Sequence, residues 1–105
     1  MQTVFVYSTA ASQAEALSIA RAVLEQRLAA CANIIPAMTS LYWWEGALEQ
    51  AQEVGIIFKT TQEAAESLTQ AIKERHSYQC PCVIVLPING GNPDYLRWIG
   101  QEVRP

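Results

Sequence analysis

The sequence predicts a small α+β fold with the element order β-α-β-β-α-β followed by a terminal helix. Three observations predict it. Ser12-Gln-Ala-Glu15 and Thr60-Thr-Gln-Glu63 are capping-box patterns, and apolar residues recur at helical spacing behind each. Thr3 to Ser8 and Cys82 to Ile88 are short runs rich in Val, Ile, Phe and Tyr, the composition of strands. Between the two helices lies Ala29 to Thr61, which reads as one long β-hairpin turning at Glu45-Gly46.

Strand one is placed at Thr3 to Ser8. Ser12 then closes the start of helix one, with Glu15 reaching back. Ala16, Leu17, Ala20, Val23, Leu24 and Leu28 set its apolar stripe, which predicts a helix running to about Ala29. The first hairpin arm, Cys31 to Trp44, is 14 residues long. Fully extended it would span about 46 Å, whereas a domain of this length is only about 26 Å across. The arm therefore bends, bulges, or extends past the body of its own chain. Pro36 cannot donate to a ladder, which favours a bulge or a sheet edge there. In the second arm Leu48, Val54, Ile56 and Phe58 share one parity, with Glu49, Glu53 and Lys59 on the other. Helix two starts at Thr60 by its capping box, buries Ala65, Leu68 and Ile72, and carries Lys73, Arg75 and His76 in its last turn, where cations suit the helix dipole. After the strand at Cys82 to Ile88, Asn89-Gly-Gly is a turn. Asn92-Pro93 is a strong helix start, and Leu96, Ile99 and Val103 give that helix its stripe. This order is the split β-α-β, ferredoxin-like arrangement, an antiparallel sheet with both helices on one face.

The 105 residues make one domain, 1–105, with no linker, repeat or low-complexity stretch. The hairpin tip carries Leu41, Tyr42, Trp43 and Trp44 in a row. Leaving them wet is costly at about 25 cal/mol per Å² of apolar surface. Charged residues are 16%, below the roughly 25% of an average soluble chain. Both features predict that further copies of the chain cover the tip. The alternative is a monomer whose surface is made polar by Gln, Ser, Thr and Asn. The seven Lys and Arg are scattered and the net charge is −3, which argues against a nucleic-acid partner. No apolar run approaches 18 residues, so no membrane span is expected. The N-terminus lacks a basic segment and runs straight into a strand, against a signal peptide. Three cysteines form no disulfide framework, which suits a reducing cytoplasm.

Candidate site residues are few. His76-x3-Cys80-Pro-Cys82 is an imidazole with two thiols, ligands suited to Cu(I) or Zn(II). The opposing reading makes Cys82 the start of a buried strand, Cys80 a small filler and His76 a helix end. Cys31 is a fourth metal candidate, or a small buried hydrophobe. Trp44, Glu45, Lys59, His76 and Tyr78 form a candidate cleft between subunits, where a small ligand would sit. The opposing reading gives the aromatics to packing and makes Glu45 and Lys59 an ion pair or solvated residues. With one His, no P-loop and no GxGxxG, no catalytic residue is assigned and no enzyme is expected.

The blocks Leu28-Ala-Ala-Cys-Ala-Asn-Ile-Ile-Pro, Ser40-Leu-Tyr-Trp-Trp-Glu-Gly, Phe58-Lys-Thr-Thr, His76-Ser-Tyr-Gln-Cys-Pro and Asp94-Tyr-Leu-Arg-Trp-Ile resemble the CutA family of divalent-cation tolerance proteins. The resemblance spans nearly the whole chain. It implies a ferredoxin-like homotrimer similar in architecture to PII signalling proteins, a role in tolerance to copper and other divalent metals, and copper binding in some members, with no cofactor required. It also implies an alternative, a PII-like signalling or scaffold trimer whose clefts bind a small ligand or protein. The chain departs from the family pattern His-Pro-Tyr-Glu-x-Pro-Glu at Ser77, Gln79 and Cys82, so a Pro and two carboxylates are missing. Ser8 stands where some members carry a Cys linked to copper.

Overall fold

The computed structural model describes residues 2–104. The element order is β1 (Thr3–Ala10), α1 (Gln13–Glu25), β2 (Cys31–Trp44), β3 (Ala47–Thr61), α2 (Ala65–Arg75), β4 (Val83–Pro87) and α3 (Pro93–Glu102). The four strands form one sheet in the order β2-β3-β1-β4, and every neighbouring pair is antiparallel. One core layer lies between the sheet and the first two helices. The sheet contributes Val4, Val6, Ile56 and Phe58; α1 contributes Ala16, Ile19 and Val23; α2 contributes Leu68 and Ile72. A second, smaller cluster seats α3 through Ile99 and Val103 against Ala64.

The first hairpin arm has the length expected, and the molecule measures 44 × 25 × 22 Å, so the hairpin does outrun the body. It turns at Glu45-Gly46 with φ of 49° and 81°, the positive pair of a type I′ turn. The expected irregularity lies where Pro36 predicts it. Ile35 pairs with Gly55 and Met38 with Glu53, so Pro36 and Ala37 together oppose one residue of β3. Ala37 takes the left-handed conformation this requires, with φ of 60°. The extra residue reverses parity along β2. Below the bulge the odd residues of β2, among them Cys31 and Ile35, face away from the helices. Above it the even residues do, so Ser40, Tyr42 and Trp44 share the helix-free face with Glu53. Leu41 and Trp43 turn to the opposite side with Leu48 and stand past the helices.

Several local expectations are corrected. α1 stops at Glu25, not near Ala29, in a Schellman motif: Arg27 N–H bonds to Leu24 O and Leu28 N–H to Val23 O. The left-handed position is filled by Arg27 at φ 60° where glycine is usual, so the sequence carries no stop signal. Ile19 is buried on α1, and Leu17 is exposed. The Thr60 capping box does not form. Thr60 belongs to β3, is buried, and donates its hydroxyl to Leu28 O at 2.7 Å. Thr61 Oγ1 instead accepts from Ala64 N–H at 3.3 Å, and α2 begins at Ala65. Ser12 and Asn92 do cap α1 and α3 as expected, accepting from Glu15 N–H and Asp94 N–H.

The turn gives a direct prediction. Gly46→Val forces a β-branched side chain to positive φ, at a cost of about 1–3 kcal/mol. Gly90→Ala adds a Cβ that meets nothing within 4 Å and should change little. Guanidinium unfolding at fixed protein concentration should show a clear loss for the first and near-wild-type stability for the second.

Candidate functional site

The segment from His76 to Cys82 links α2 to β4 across the end of β1, and it is tied down at both ends. Glu15, in the first turn of α1, accepts from Ser77 N–H at 2.7 Å and from Ala11 N–H at 3.1 Å. The His76 side chain is fully buried. Its Nε2 lies 2.6 Å from Thr9 O, and its Nδ1 accepts from Tyr78 N–H at 3.1 Å. A carbonyl can only accept, so Nε2 carries the proton and Nδ1 is the acceptor. The Nδ1 approach to Glu15 Oε2 at 3.9 Å is thus no ion pair in this tautomer. Tyr78 stacks obliquely on His76 with ring centroids 4.7 Å apart. At the other end Ser8 donates its hydroxyl to Cys82 O at 2.7 Å, which gives Ser8 a structural task.

This segment and the upper hairpin arm enclose a cleft of about 510 Å³. Tyr42, Trp44, Glu53, Tyr78, Cys80 and Cys82 are among the residues that line it. Glu53 shares its parity with Glu49 and Lys59, yet it is only 8% exposed and accepts from the Tyr78 hydroxyl at 2.7 Å. It stands on the face that parity assigns it, and the 76–82 segment covers that face. A lone acid directly before the apolar run Val54 to Phe58 was the available signal. The electrostatics follow from burial. Burial first, then the hydrogen bond to the Glu53 carboxylate, pushes the Tyr78 phenol far above its usual range. Burial raises Tyr7 too, aided by Cys82 and Glu53. Burial and then Glu53 raise the Cys82 thiol.

The sequence-predicted metal set does not come together in one chain. Among the described residues no group of three His, Cys, Asp or Glu is placed to hold a metal ion. His76 has both ring nitrogens engaged, so its lone pair is not free. Cys31 lies at the root of the hairpin opposite Lys59, on the face turned away from α1 and α2, with Sγ 3.7 Å from Asn33 Oδ1. That is six residues along β3 from Glu53, about 20 Å. Cys80 and Cys82 do line the same cleft. Of the predicted ligand cleft, Trp44 and Tyr78 meet there. Glu45 sits in the exposed hairpin turn, and Lys59 lies over the Tyr95 ring at 5.6 Å, so the two form no ion pair. The buried Glu53 is the member that sequence reasoning left out.

The raised Cys82 thiol makes a testable difference between the two cleft cysteines, because the thiolate is the reactive form. At pH 8, iodoacetamide should alkylate Cys80 in a Cys82→Ser protein faster than Cys82 in a Cys80→Ser protein. Adding Glu53→Gln to the latter should speed its reaction. Peptide mass spectrometry reads both rates, and equal rates would contradict the burial of Cys82.

Comparison with known proteins places this geometry in a family. The profile of the CutA1 divalent ion tolerance protein matches residues 4–102. A divalent-cation tolerance protein CutA from Escherichia coli O139:H28 is 46% identical over 102 residues, covering 97% of this chain and 91% of that protein. The crystal structure of CutA1 from Oryza sativa superposes with a TM-score of 0.96 at 38% identity, over 99% of this chain and 95% of the other. The structure of a CutA from Archaeoglobus fulgidus, described as periplasmic, gives 0.94 at 41% identity, over 97% and 99%. The chain belongs to the CutA1 divalent ion tolerance protein family.

Proposed function

We propose that this chain acts as a non-enzymatic homotrimer in the response to divalent metal ions, with copper as the metal to test first, and that it works in the cytoplasm. Support for the metal role comes from the relatives, which carry divalent-cation tolerance in their names. Support for assembly is the observation that carries the reading. Leu41, Trp43 and Leu48 form one strip on the hairpin arm and are 65%, 73% and 61% exposed in the single chain. Burying each large apolar side chain contributes about 1.5–3 kcal/mol, so a second and third copy gain by covering the strip. Phe5, Ile35, Ile84 and Leu86 add exposed apolar area on the helix-free face.

For copper, the donors on offer are the two cleft thiols. Cys80 is exposed and Cys82 half-buried, and both are free. Paired thiolates suit Cu(I). Binding must displace the Cys82 proton against its raised pKa, so uptake should strengthen as pH rises. Three free cysteines fit a reducing compartment. A second reading is favoured by the cleft itself: a PII-like trimer in which a small ligand or protein partner occupies the space beside Trp44 and Tyr78, with metal binding incidental.

Competitive Cu(I) titration at pH 6.5 and 8 tests the metal reading. Wild type should bind more tightly than the Cys80→Ser/Cys82→Ser protein, and the gap should widen at the higher pH. A double variant that binds as well as wild type would remove the thiols from the account and favour the second reading.

A further inference from the structure

Glu53 is a buried acid with no basic partner in its own chain among the described residues. Its residue is more than nine-tenths buried, and one carboxylate oxygen, Oε2, accepts from Tyr78. No Lys, Arg or His side chain reaches it among the described residues, and none lines the cleft it faces. Every fully buried side-chain nitrogen or oxygen among those residues has a hydrogen-bond partner. Oε1 has no partner among the described residues and so is not sealed in, and Glu53 is one of the residues that line the cleft. A carboxylate this dry, when ionised, needs a counter-charge or further donors, because burial removes the water that would solvate it. The Tyr78 hydroxyl supplies one donor and no charge.

The surroundings narrow what could supply the rest. Tyr42 and Trp44 give the cleft an aromatic wall, and Ser40 and Gln79 give it neutral polar groups. Aromatic faces attract cations within about 6 Å. The volume of about 510 Å³ suits a small organic molecule. The neighbouring phenols and thiol all have their proton loss disfavoured, partly by Glu53, so the local field is negative. A hard divalent ion asks for six or more oxygens, and no three-ligand group is present among the described residues.

We propose that this cleft binds a small organic cation, a primary ammonium on an apolar stem, with the ammonium on Glu53 Oε1 and the stem against Tyr42 and Trp44. The parity reversal at Pro36-Ala37 is what makes the site: it turns Tyr42 and Trp44 to the face that carries Glu53. The proposal rests on the small-ligand reading of this cleft; its anchor is Glu53 and not the thiols, so it does not rest on copper binding.

Isothermal titration of the purified protein with benzylammonium and with the neutral isostere benzyl alcohol tests it, using Trp fluorescence as a second readout. Wild type should bind the ammonium at least about tenfold more tightly than the alcohol, a difference of about 1.4 kcal/mol. Glu53→Gln keeps the shape and should erase that preference. The Cys80→Ser/Cys82→Ser protein should retain it, which separates this site from the metal reading. Equal binding of the two probes to wild type, no binding of either at millimolar concentration, or an unchanged preference in Glu53→Gln would overturn the proposal. If Glu53→Gln does not fold, the ratio of the two probes on wild type decides alone.

Discussion

A pair of strands longer than the domain that carries it has to be covered along its whole length, and that constraint governs this structure. Near its root β3 lies inside the sheet between β2 and β1, β2 forms the sheet edge, and the pair packs on α1. Beyond the bulge the two arms pair only with each other, with Trp44 opposite Ala47 at the tip. Among the described residues no helix covers the outer strip, which stays more than half exposed. A two-stranded ribbon is marginal by itself in water, and one edged with Leu41, Trp43 and Leu48 also exposes a large apolar area. The single chain is thus a complete core with an incomplete periphery.

The same hairpin builds the cleft. One inserted residue in β2 exchanges the faces of every side chain above it. Without it, Leu41 and Trp43 would look toward Glu53, and Tyr42 and Trp44 would stand outside. The 76–82 segment closes the other wall, and it is held by a buried histidine that spends both nitrogens on backbone groups of Thr9 and Tyr78. This is a use of histidine as a tie, and it removes from the metal question the residue type that most often answers it. What remains facing the cleft is chemically mixed: two thiols, one buried carboxylate and an aromatic wall.

Much of the fold was legible because its signals are local. The arm Cys31 to Trp44, the turn at Glu45-Gly46, the irregularity at Pro36 and the Asn92-Pro93 helix start each follow from backbone preferences of the residues present. The errors arose where a tertiary contact outbids a local preference. Thr60 could cap a helix, but the Leu28 carbonyl holds its hydroxyl. α1 ends without a glycine because Arg27 is held at positive φ, its carbonyl accepting from Arg104 N–H and its guanidinium paired with Glu102 at 2.9 Å. The site was harder to read. Proximity in sequence grouped His76 with Cys80 and Cys82, yet the imidazole turns inward while the thiols face the cleft. Glu53 lies more than twenty residues from Tyr78, and no periodicity can announce such a pair.

Native mass spectrometry across a dilution series, on wild type and on Trp43→Glu, tests most directly the claim that other copies complete the hairpin. Wild type should appear as three chains down to micromolar concentration, and a charge placed in the outer strip should shift it toward single chains with the subunit still folded by circular dichroism. A wild-type protein that flies as one chain at micromolar concentration, or a Trp43→Glu protein that assembles undiminished, would contradict the account.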